Sequence, residues 1–382
     1  MRLLIAGGGT GGHIYPALAV AQSLRARNET DLRWLGGHRG LERGLVGAAG
    51  IPFSRLVLRS LRTTERDVHL VLDPVRLGAS VAQASAILVG QRPAAIFTTG
   101  GYTAIPVLMA AAPLRIPVVM WEGNVIPGRS VRATARLADV LAVSFAATCA
   151  AVRTSHPCYV TGTPIRDLRG LDREAARAHF GIPPRDRMLL VFGGSQAVRR
   201  FNTAVADVLP QLVERAHVVH VAGDDGYAAA LTSREALPAG LRERYRPVPF
   251  LRDDMAQALG AADLVVGRAG SSTLAEVTAL GLPMIVVPYP HAAGHQLANA
   301  KVLADAGAAR LIEDEAFDGA ALLGATSLLD DPAEHAAMSA ASRSLGRAAA
   351  ADAVAELVLA AAEHRPLPEP GVLDRLSREG AG

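Results

Sequence analysis

Residues 3–13 read Leu3-Leu4-Ile5-Ala6-Gly7-Gly8-Gly9-Thr10-Gly11-Gly12-His13. The apolar run is typical of a buried strand, and the glycines are followed by the helical pattern Ala17-Leu18-Ala19-Val20-Ala21. Glycines between a strand and a helix let a ligand approach the backbone and the free N–H groups of the helix N-terminus. The segment therefore predicts a strand–turn–helix unit that suits a phosphate or another electron-rich group.

The same glycines also fit a nicotinamide-binding fold, because Gly7, Gly9 and Gly12 match the pattern G-x-G-x-x-G. That interpretation needs an acidic residue at the end of the second strand to hold the ribose. The second predicted strand, residues 31–35, instead runs into Gly36-Gly37-His38-Arg39. The pattern alone is therefore a weak sign of a dinucleotide.

The composition is typical of a packed globular protein with two domains: 382 residues, of which 50% are hydrophobic and 20% charged. A net charge of +3 and an aromatic content of 4% predict no nucleic-acid partner. Cys149 and Cys158 lack metal-ligand spacing, so we expect two buried thiols, no metal and no cofactor. The sequence has no signal-peptide pattern and no apolar stretch of membrane-spanning length, which favours a cytoplasmic protein.

The first half of the chain alternates between strand-like and helix-like segments, which predicts a parallel sheet covered by helices on both faces. The predicted strands are 31–35, 53–58, 95–98, 117–121 and 140–143, and the predicted helices are 41–49, 75–89 and 129–137. Ligands of such sheets gather beyond the carboxyl ends of the strands. Two of these ends carry Thr99-Gly100-Gly101-Tyr102 and Glu122-Gly123-Asn124, which supply a second glycine turn, a carboxylate and an amide.

A second alternating series follows a segment without periodicity, and we predict a domain boundary between residues 163 and 164. Its predicted strands are 188–192, 217–222, 245–248, 264–267 and 284–288. The strand ends supply Gly193-Gly194-Ser195-Gln196, Phe250-Leu251 and Arg268-Ala269-Gly270-Ser271-Ser272-Thr273-Leu274-Ala275-Glu276. The hydroxyl and N–H groups at the start of the predicted helix, in residues 271–273, can donate hydrogen bonds to a diphosphate. Glu276, one helical turn later, can accept hydrogen bonds from the hydroxyls of a sugar or ribose.

These motifs, in this order, resemble the MurG family of N-acetylglucosaminyltransferases of peptidoglycan synthesis. The similarity extends from the first strand to about Asn299. It is carried by residues 7–13, 99–102, 122–124, 161–166, 193–196 and 268–276, with Gln296 and Asn299. The resemblance implies a GT-B fold, an α/β architecture in which two Rossmann-like domains with parallel sheets face each other across a cleft.

The resemblance also implies the roles of the domains. Residues 1–163 would bind the acceptor and associate with the membrane, joined by a C-terminal helix at 346–364. Residues 164–345 would bind UDP-N-acetylglucosamine. Residues 365–382, whose first part is rich in proline, are expected to form a mobile tail.

The implied reaction is inverting transfer of N-acetylglucosamine from UDP to the C4 hydroxyl of the muramyl sugar of lipid I, giving lipid II. His13 is the predicted base because imidazole takes up a proton near neutral pH, and Glu122 is the second candidate. Glu122 and Asn124 could equally brace their own loop. The implied donor contacts are Thr10, Gly11, Gly12, Asn124, Arg166, Ser195, Gln196, Phe250, Leu251, Arg268, Gly270, Ser271, Ser272, Thr273, Leu274, Glu276 and Gln296, and the implied acceptor contacts are Gly9, Gly100, Gly101, Tyr102 and Asn124.

The implied partners are the lipid-linked acceptor, an anionic membrane surface at the cytoplasmic face of the plasma membrane, and proteins of cell-wall synthesis or division. The arginines of residues 59–66 beside the predicted apolar helix 75–89 fit anionic headgroups, and the same segment could equally be a solvated loop before a core helix. The chain departs from the family pattern at Trp121, Gly123 and Ala197. The alternatives are a GT-B enzyme with another lipid acceptor and a UDP-sugar 2-epimerase.

Overall fold

The computed structural model describes residues 1–37, 42–58, 69–152, 154–194, 199–251, 254–292 and 294–380. The chain divides into two compact units: Met1–Asp167 with Ala349–Gly382, and Leu168–Ala348. The observed boundary lies after the predicted one, so residues 164–167, which include Arg166, belong to the first unit.

Each unit contains one sheet in which every pairing is parallel. The strand order is β3-β2-β1-β4-β5-β6-β7 in the first unit and β10-β9-β8-β11-β12-β13 in the second. The predicted α/β class is confirmed. The strands are β1 Arg2–Ala6, β2 Asp31–Gly36, β3 Phe53–Arg55, β4 Ala95–Thr98, β5 Val118–Glu122, β6 Val140–Val143, β7 Cys158–Val160, β8 Met188–Phe192, β9 His217–Val221, β10 Tyr245–Val248, β11 Leu264–Gly267, β12 Met284–Val286 and β13 Ala309–Leu311.

Helices connect the strands in both units. None of the helices in the described ranges is both long and apolar enough to cross a membrane. Short 3-10 turns lie at Ala135–Leu137, Ala239–Arg244, Asp314–Ala316 and Thr326–Asp330. The helices are α1 Gly11–Ala26, α2 Glu42–Ala48, α3 His69–Gln91, α4 Ala104–Leu114, α5 Arg129–Thr134, α6 Ala146–Val152, α7 Arg173–His179, α8 Arg199–Asp207, α9 Leu209–Arg215, α10 Gly223–Glu235, α11 Met255–Ala261, α12 Ser271–Ala279, α13 His295–Asp305, α14 Gly319–Ala325, α15 Pro332–Leu345, α16 Ala350–Ala362 and α17 Pro370–Glu379.

The central strands read as continuous apolar runs because both faces of each sheet are covered. All residues of β4, β6, β8 and β11 are buried, and each of these strands has the bounds predicted from the sequence. In each sheet the strand order reverses next to the first strand of the unit, between β1 and β4 and between β8 and β11. A ligand crevice is expected at these reversal points, beyond the carboxyl ends of the strands.

The C-terminal segment packs on the first unit. Helix α16 contacts α1, where the Ser23 hydroxyl donates to Asp352 (2.6 Å) and Arg27 pairs with Glu356 (2.7 Å). Helix α17 packs on α16 and β7 and buries Leu373. The expectation of a mobile tail is therefore wrong for residues 370–379, which form a helix with one apolar face against the unit.

The two cysteines also differ from the prediction. Cys149 in α6 and Cys158 in β7 form a disulfide, with Cα atoms 5.9 Å apart, and both are half-buried. The prediction of two buried thiols is wrong because the turn between α6 and β7 brings the two side chains together. The nine-residue separation of the two cysteines in the sequence does not by itself predict that their side chains come together.

Candidate active site

His13 lies in the first turn of α1, at the reversal point of the first sheet. Its Nδ1 donates to the carbonyl oxygen of Thr99 (2.7 Å), because a carbonyl can only accept. The Thr99 hydroxyl in turn donates to the His13 carbonyl (3.0 Å). With Nδ1 carrying the proton, the neutral ring holds its free electron pair on Nε2, as a general base requires.

The second glycine turn follows β4 and lies against the first. Gly101 has φ +78°, and a Cβ atom there would be 3.0 Å from the Gly8 carbonyl oxygen and 3.8 Å from the His13 Nε2. The Gly101 N–H donates to the Ser130 hydroxyl (3.1 Å), which joins this turn to α5. Only glycine fits such a close approach of two turns. Of the predicted acceptor residues, Gly101 therefore lies beside the His13 ring, and Gly9 lies against the ring of Tyr102.

Glu122 ends β5 and is buried. Its carboxylate accepts from the N–H and the side-chain amide of Asn124 (2.9 and 3.0 Å) and from the N–H of Gly128 (2.8 Å). The Thr148 hydroxyl holds the same loop by donating to the Asn124 carbonyl (2.9 Å). These bonds brace the loop, and each of the two carboxylate oxygens accepts at least one of them.

One residue of this region is missing from the sequence prediction. Glu42, the first residue of α2, is only 1% exposed and accepts hydrogen bonds from the N–H groups of Gly9 and Gly37. Burial raises the pKa of its carboxyl, and the two N–H groups offset part of that rise. Its partner Gly9 lies 33 residues away in the sequence, so no local pattern identifies this contact.

In the second unit, α12 begins directly beyond β11, at the reversal point of that sheet. Gly270 caps the helix with extended backbone and, as a glycine, offers no side chain to the N-terminal N–H groups. Ser271, Ser272 and Thr273 form the half-buried first turn, while Leu274 and Glu276 are buried. This arrangement presents N–H groups and hydroxyls, and it suits an anionic group.

Arg268 is predicted to contact the donor, but its side chain is held within the second unit. The guanidinium pairs with Asp314 (2.5 Å), donates to the Val287 carbonyl (3.2 Å) and stacks on the rings of Phe201 and Tyr289 (4.8 and 5.4 Å). Such contacts fix the loops that follow β11 and β12.

Gln296 connects the same two loops from α13. Its side-chain oxygen accepts from the N–H groups of Ala269 (3.2 Å) and Tyr289 (2.9 Å). The buried Asn299 donates to the Ala269 carbonyl (3.3 Å). The polar residues of α13 thus set the geometry around the start of α12.

The remaining predicted donor residues are scattered. Phe250 is 45% exposed at the end of β10, whereas Leu251 beside it is buried. Ser195 and Gln196 lie outside the described residues. Thr10, Gly11, Gly12, Asn124 and Arg166 belong to the first unit.

Comparison with known proteins places both units in one family. Residues 3–143 match the glycosyltransferase family 28 N-terminal domain, and residues 188–357 match the C-terminal domain of the same family. A UDP-N-acetylglucosamine--N-acetylmuramyl-(pentapeptide) pyrophosphoryl-undecaprenol N-acetylglucosamine transferase of Desulforudis audaxviator is 39% identical to this chain. The match covers 94% of this chain and 98% of the relative.

Solved structures agree on the fold. The crystal structure of Acinetobacter baumannii MurG has a TM-score of 0.75 and 27% identity, and the match covers 94% of this chain and 99% of that one. A putative UDP-N-acetylglucosamine 2-epimerase from Listeria monocytogenes, at 14% identity and a TM-score of 0.68 over 97% of this chain and 98% of that one, shares the fold alone. The two parallel-sheet units, the two matched domains and the relatives that span nearly the whole chain show that it is a GT-B protein of glycosyltransferase family 28 and belongs to the MurG family.

Proposed function

We propose that this protein transfers N-acetylglucosamine from UDP-N-acetylglucosamine to the C4 hydroxyl of the muramyl sugar of lipid I, with inversion, giving lipid II. The observation that carries this proposal is the hydrogen bond from His13 Nδ1 to the Thr99 carbonyl (2.7 Å). It orients the ring and leaves Nε2 as the site that takes up a proton. The names of the full-length relatives supply the substrates.

In this reaction His13 removes the proton of the acceptor hydroxyl, and the resulting oxygen attacks C1 of the donor sugar. The bond between C1 and the diphosphate oxygen breaks, and UDP leaves with the electron pair. The sugar passes through an oxocarbenium-like state, so stabilising the leaving diphosphate lowers the barrier. The N-terminal N–H groups of α12 and the hydroxyls of residues 271–273 are our candidates for that role.

Glu122 is better assigned to positioning than to proton removal. Its carboxylate already accepts three hydrogen bonds from Asn124 and Gly128. A carboxylate used in this way holds its loop in shape, and its oxygens are already occupied by donors of that loop. We therefore propose His13 as the base and Glu122 as the residue that presents Asn124 to the substrates.

The donor site that we propose lies mainly in the second unit. Phe250 and Leu251 would lie beside the uracil, Glu276 would accept from the ribose hydroxyls, and Gln296 would contact the sugar. The internal contacts of Arg268 favour a role in positioning the loops around α12 over direct contact with the diphosphate. The other predicted donor contacts are Ser195 and Gln196 in the second unit and, in the first unit, Thr10, Gly11, Gly12, Asn124 and Arg166.

UDP release by the purified protein tests the proposed reaction. We expect release from UDP-N-acetylglucosamine only when a short-chain lipid I analogue is added, with a disaccharide-lipid as product. The chemistry needs no metal in our proposal, so EDTA should leave the rate unchanged. Release that does not depend on the analogue would contradict the transferase and favour hydrolysis or epimerisation.

We further propose that the first unit binds the cytoplasmic face of the plasma membrane peripherally. Met109 and Leu114 on α4 expose 45% and 38% of their surface, and the exposed Arg115 follows them. The 3-10 turn Ala135–Leu137, which packs on α4, adds the exposed Arg136 and Leu137. Apolar side chains flanked by arginines suit an anionic lipid surface. Partners in cell-wall synthesis or division remain a proposal from the family resemblance.

Replacing both Met109 and Leu114 by Glu should weaken binding to phosphatidylglycerol-containing vesicles by about tenfold or more, because apolar burial is lost and negative charge is added. Co-sedimentation with phosphatidylcholine vesicles, with and without phosphatidylglycerol, measures this. Val372→Glu is a matched control, since Val372 on α17 is 48% exposed. Equal loss in the control, or undiminished binding by the double variant, would contradict the proposed membrane face.

A further inference from the structure

Glu42 links the turns that follow two neighbouring strands of the first sheet. Its side chain is buried, and its carboxylate accepts from the N–H groups of Gly9, after β1, and Gly37, after β2. A buried carboxylate normally costs free energy unless it is hydrogen-bonded, and here backbone donors provide that compensation. The bonds tie the glycine-rich turn to the start of α2.

The glycine-rich turn is shaped around this carboxylate. A methyl group added at Gly8 would lie 3.1 Å from the Glu42 Cδ, nearer still to one carboxylate oxygen, and 3.2 Å from the Thr103 Cγ2. Gly9 has φ +105°, a conformation that other residues rarely adopt. Glycine at both positions allows the turn to close over the Glu42 side chain.

Tyr102, after β4, belongs to the same cluster. A Cβ atom at Gly9 would lie 3.3 Å from the Tyr102 ring, and one at Gly37 would lie 2.9 Å from the ring carbon that bears the hydroxyl. Burial and the negative charge of Glu42 raise the pKa of the Tyr102 phenol to about 12. The buried carboxylate, the half-buried phenol and the two turns therefore form one contact set next to the start of α1.

We propose that Glu42 is a positioning residue that fixes the glycine-rich turn and, through it, the first turn of α1 with His13. The proposal rests on the proposed transferase reaction. Because the N–H of Gly9 donates to Glu42, Gly9 contributes the shape of the acceptor site and not a hydrogen bond to the ligand. In this arrangement two contacts position the imidazole that accepts the proton of the acceptor hydroxyl. Glu42 acts through the glycine-rich turn, and the Thr99 carbonyl accepts from Nδ1.

Glu42→Gln tests this role because the side chain keeps its size but can no longer accept at both terminal atoms. The N–H groups of Gly9 and Gly37 then face a neutral amide in place of a carboxylate, which holds the turn more weakly. We expect kcat for UDP release with the lipid I analogue to fall by about 30-fold, while the KM for UDP-N-acetylglucosamine stays within about twofold. A merely structural role would not separate kcat from the donor KM in this way.

Glu356→Gln provides the control, since Glu356 is another carboxylate of the first unit and pairs with Arg27, just beyond the opposite end of α1. It should leave kcat within about twofold at a similar thermal midpoint. Unchanged kcat in folded Glu42→Gln, or an equal fall in Glu356→Gln at the same midpoint, would overturn the positioning role. Absence of acceptor-dependent turnover in the unmodified protein would instead contradict the transferase itself.

Discussion

His13→Ala is expected to lower kcat by about 1,000-fold, because positioned general bases contribute factors of this order. The dissociation constant for UDP-N-acetylglucosamine should stay within about twofold, since the imidazole acts on the acceptor hydroxyl. The Thr99 contact bears on the size of the effect, because it orients the ring and, in the neutral imidazole, leaves the free electron pair on Nε2. Alanine removes this base.

Turnover by UDP release and donor affinity by calorimetry, on the same preparation, measure the two quantities. His156→Ala serves as the control: His156 lies in the first unit, in the turn before β7, and makes none of the contacts described for the site. Equal losses of turnover and donor affinity in His13→Ala would contradict the base assignment. A fall in kcat of less than about tenfold would contradict it as well.

Asp263→Ala is expected to destabilise the second unit by about 3–5 kcal/mol, the usual cost of removing one partner from a buried ion pair. The Asp263 carboxylate precedes β11 and accepts from Arg177 (3.1 Å), Arg173 (2.9 Å) and the Met188 N–H (2.8 Å). Arg177 is itself buried, so alanine leaves an uncompensated charge in the interior.

Hydrogen exchange measures this effect unit by unit. Protection of the β8 amides should fall in Asp263→Ala, whereas tryptophan fluorescence should report an unchanged first unit, because both tryptophans, Trp34 and Trp121, lie there. Asp330→Ala is the matched control: Asp330 pairs with Arg215 at the surface and should cost less than about 1 kcal/mol. Full protection in Asp263→Ala would contradict the argument.

The fold is largely predictable from the sequence, because buried parallel strands are short apolar runs separated by amphipathic helices. Strands β4, β6, β8 and β11 have the predicted bounds. Strand β13 does not appear in the prediction, because it has three residues and includes Arg310, whose charged side chain interrupts an apolar pattern. The prolines before α17 lead to the prediction of a mobile tail in place of a helix. That helix is stabilised by its packing on the first unit, which the local sequence does not show.

The candidate site is predictable only in part. Motifs at strand ends identify His13 and the glycine turns in the first unit and the start of α12 in the second, since the carboxyl ends of parallel strands meet at one edge within each sheet. The role of Glu42 depends on a partner 33 residues away, at Gly9, and the inward orientation of Arg268 depends on Asp314. Such contacts arise from tertiary packing, so neither the hydrophobic periodicity nor the motif spacing of the sequence predicts them.

The return of the C-terminal segment to the first unit has a consequence for how the chain folds during synthesis. Val354, Leu357 and Leu373 share a core with Ile5 and Trp34, so that core stays incomplete until the ribosome has delivered residue 373. Residues 168–348 form a continuous unit and can fold earlier. The second unit can therefore complete its folding before the first unit does.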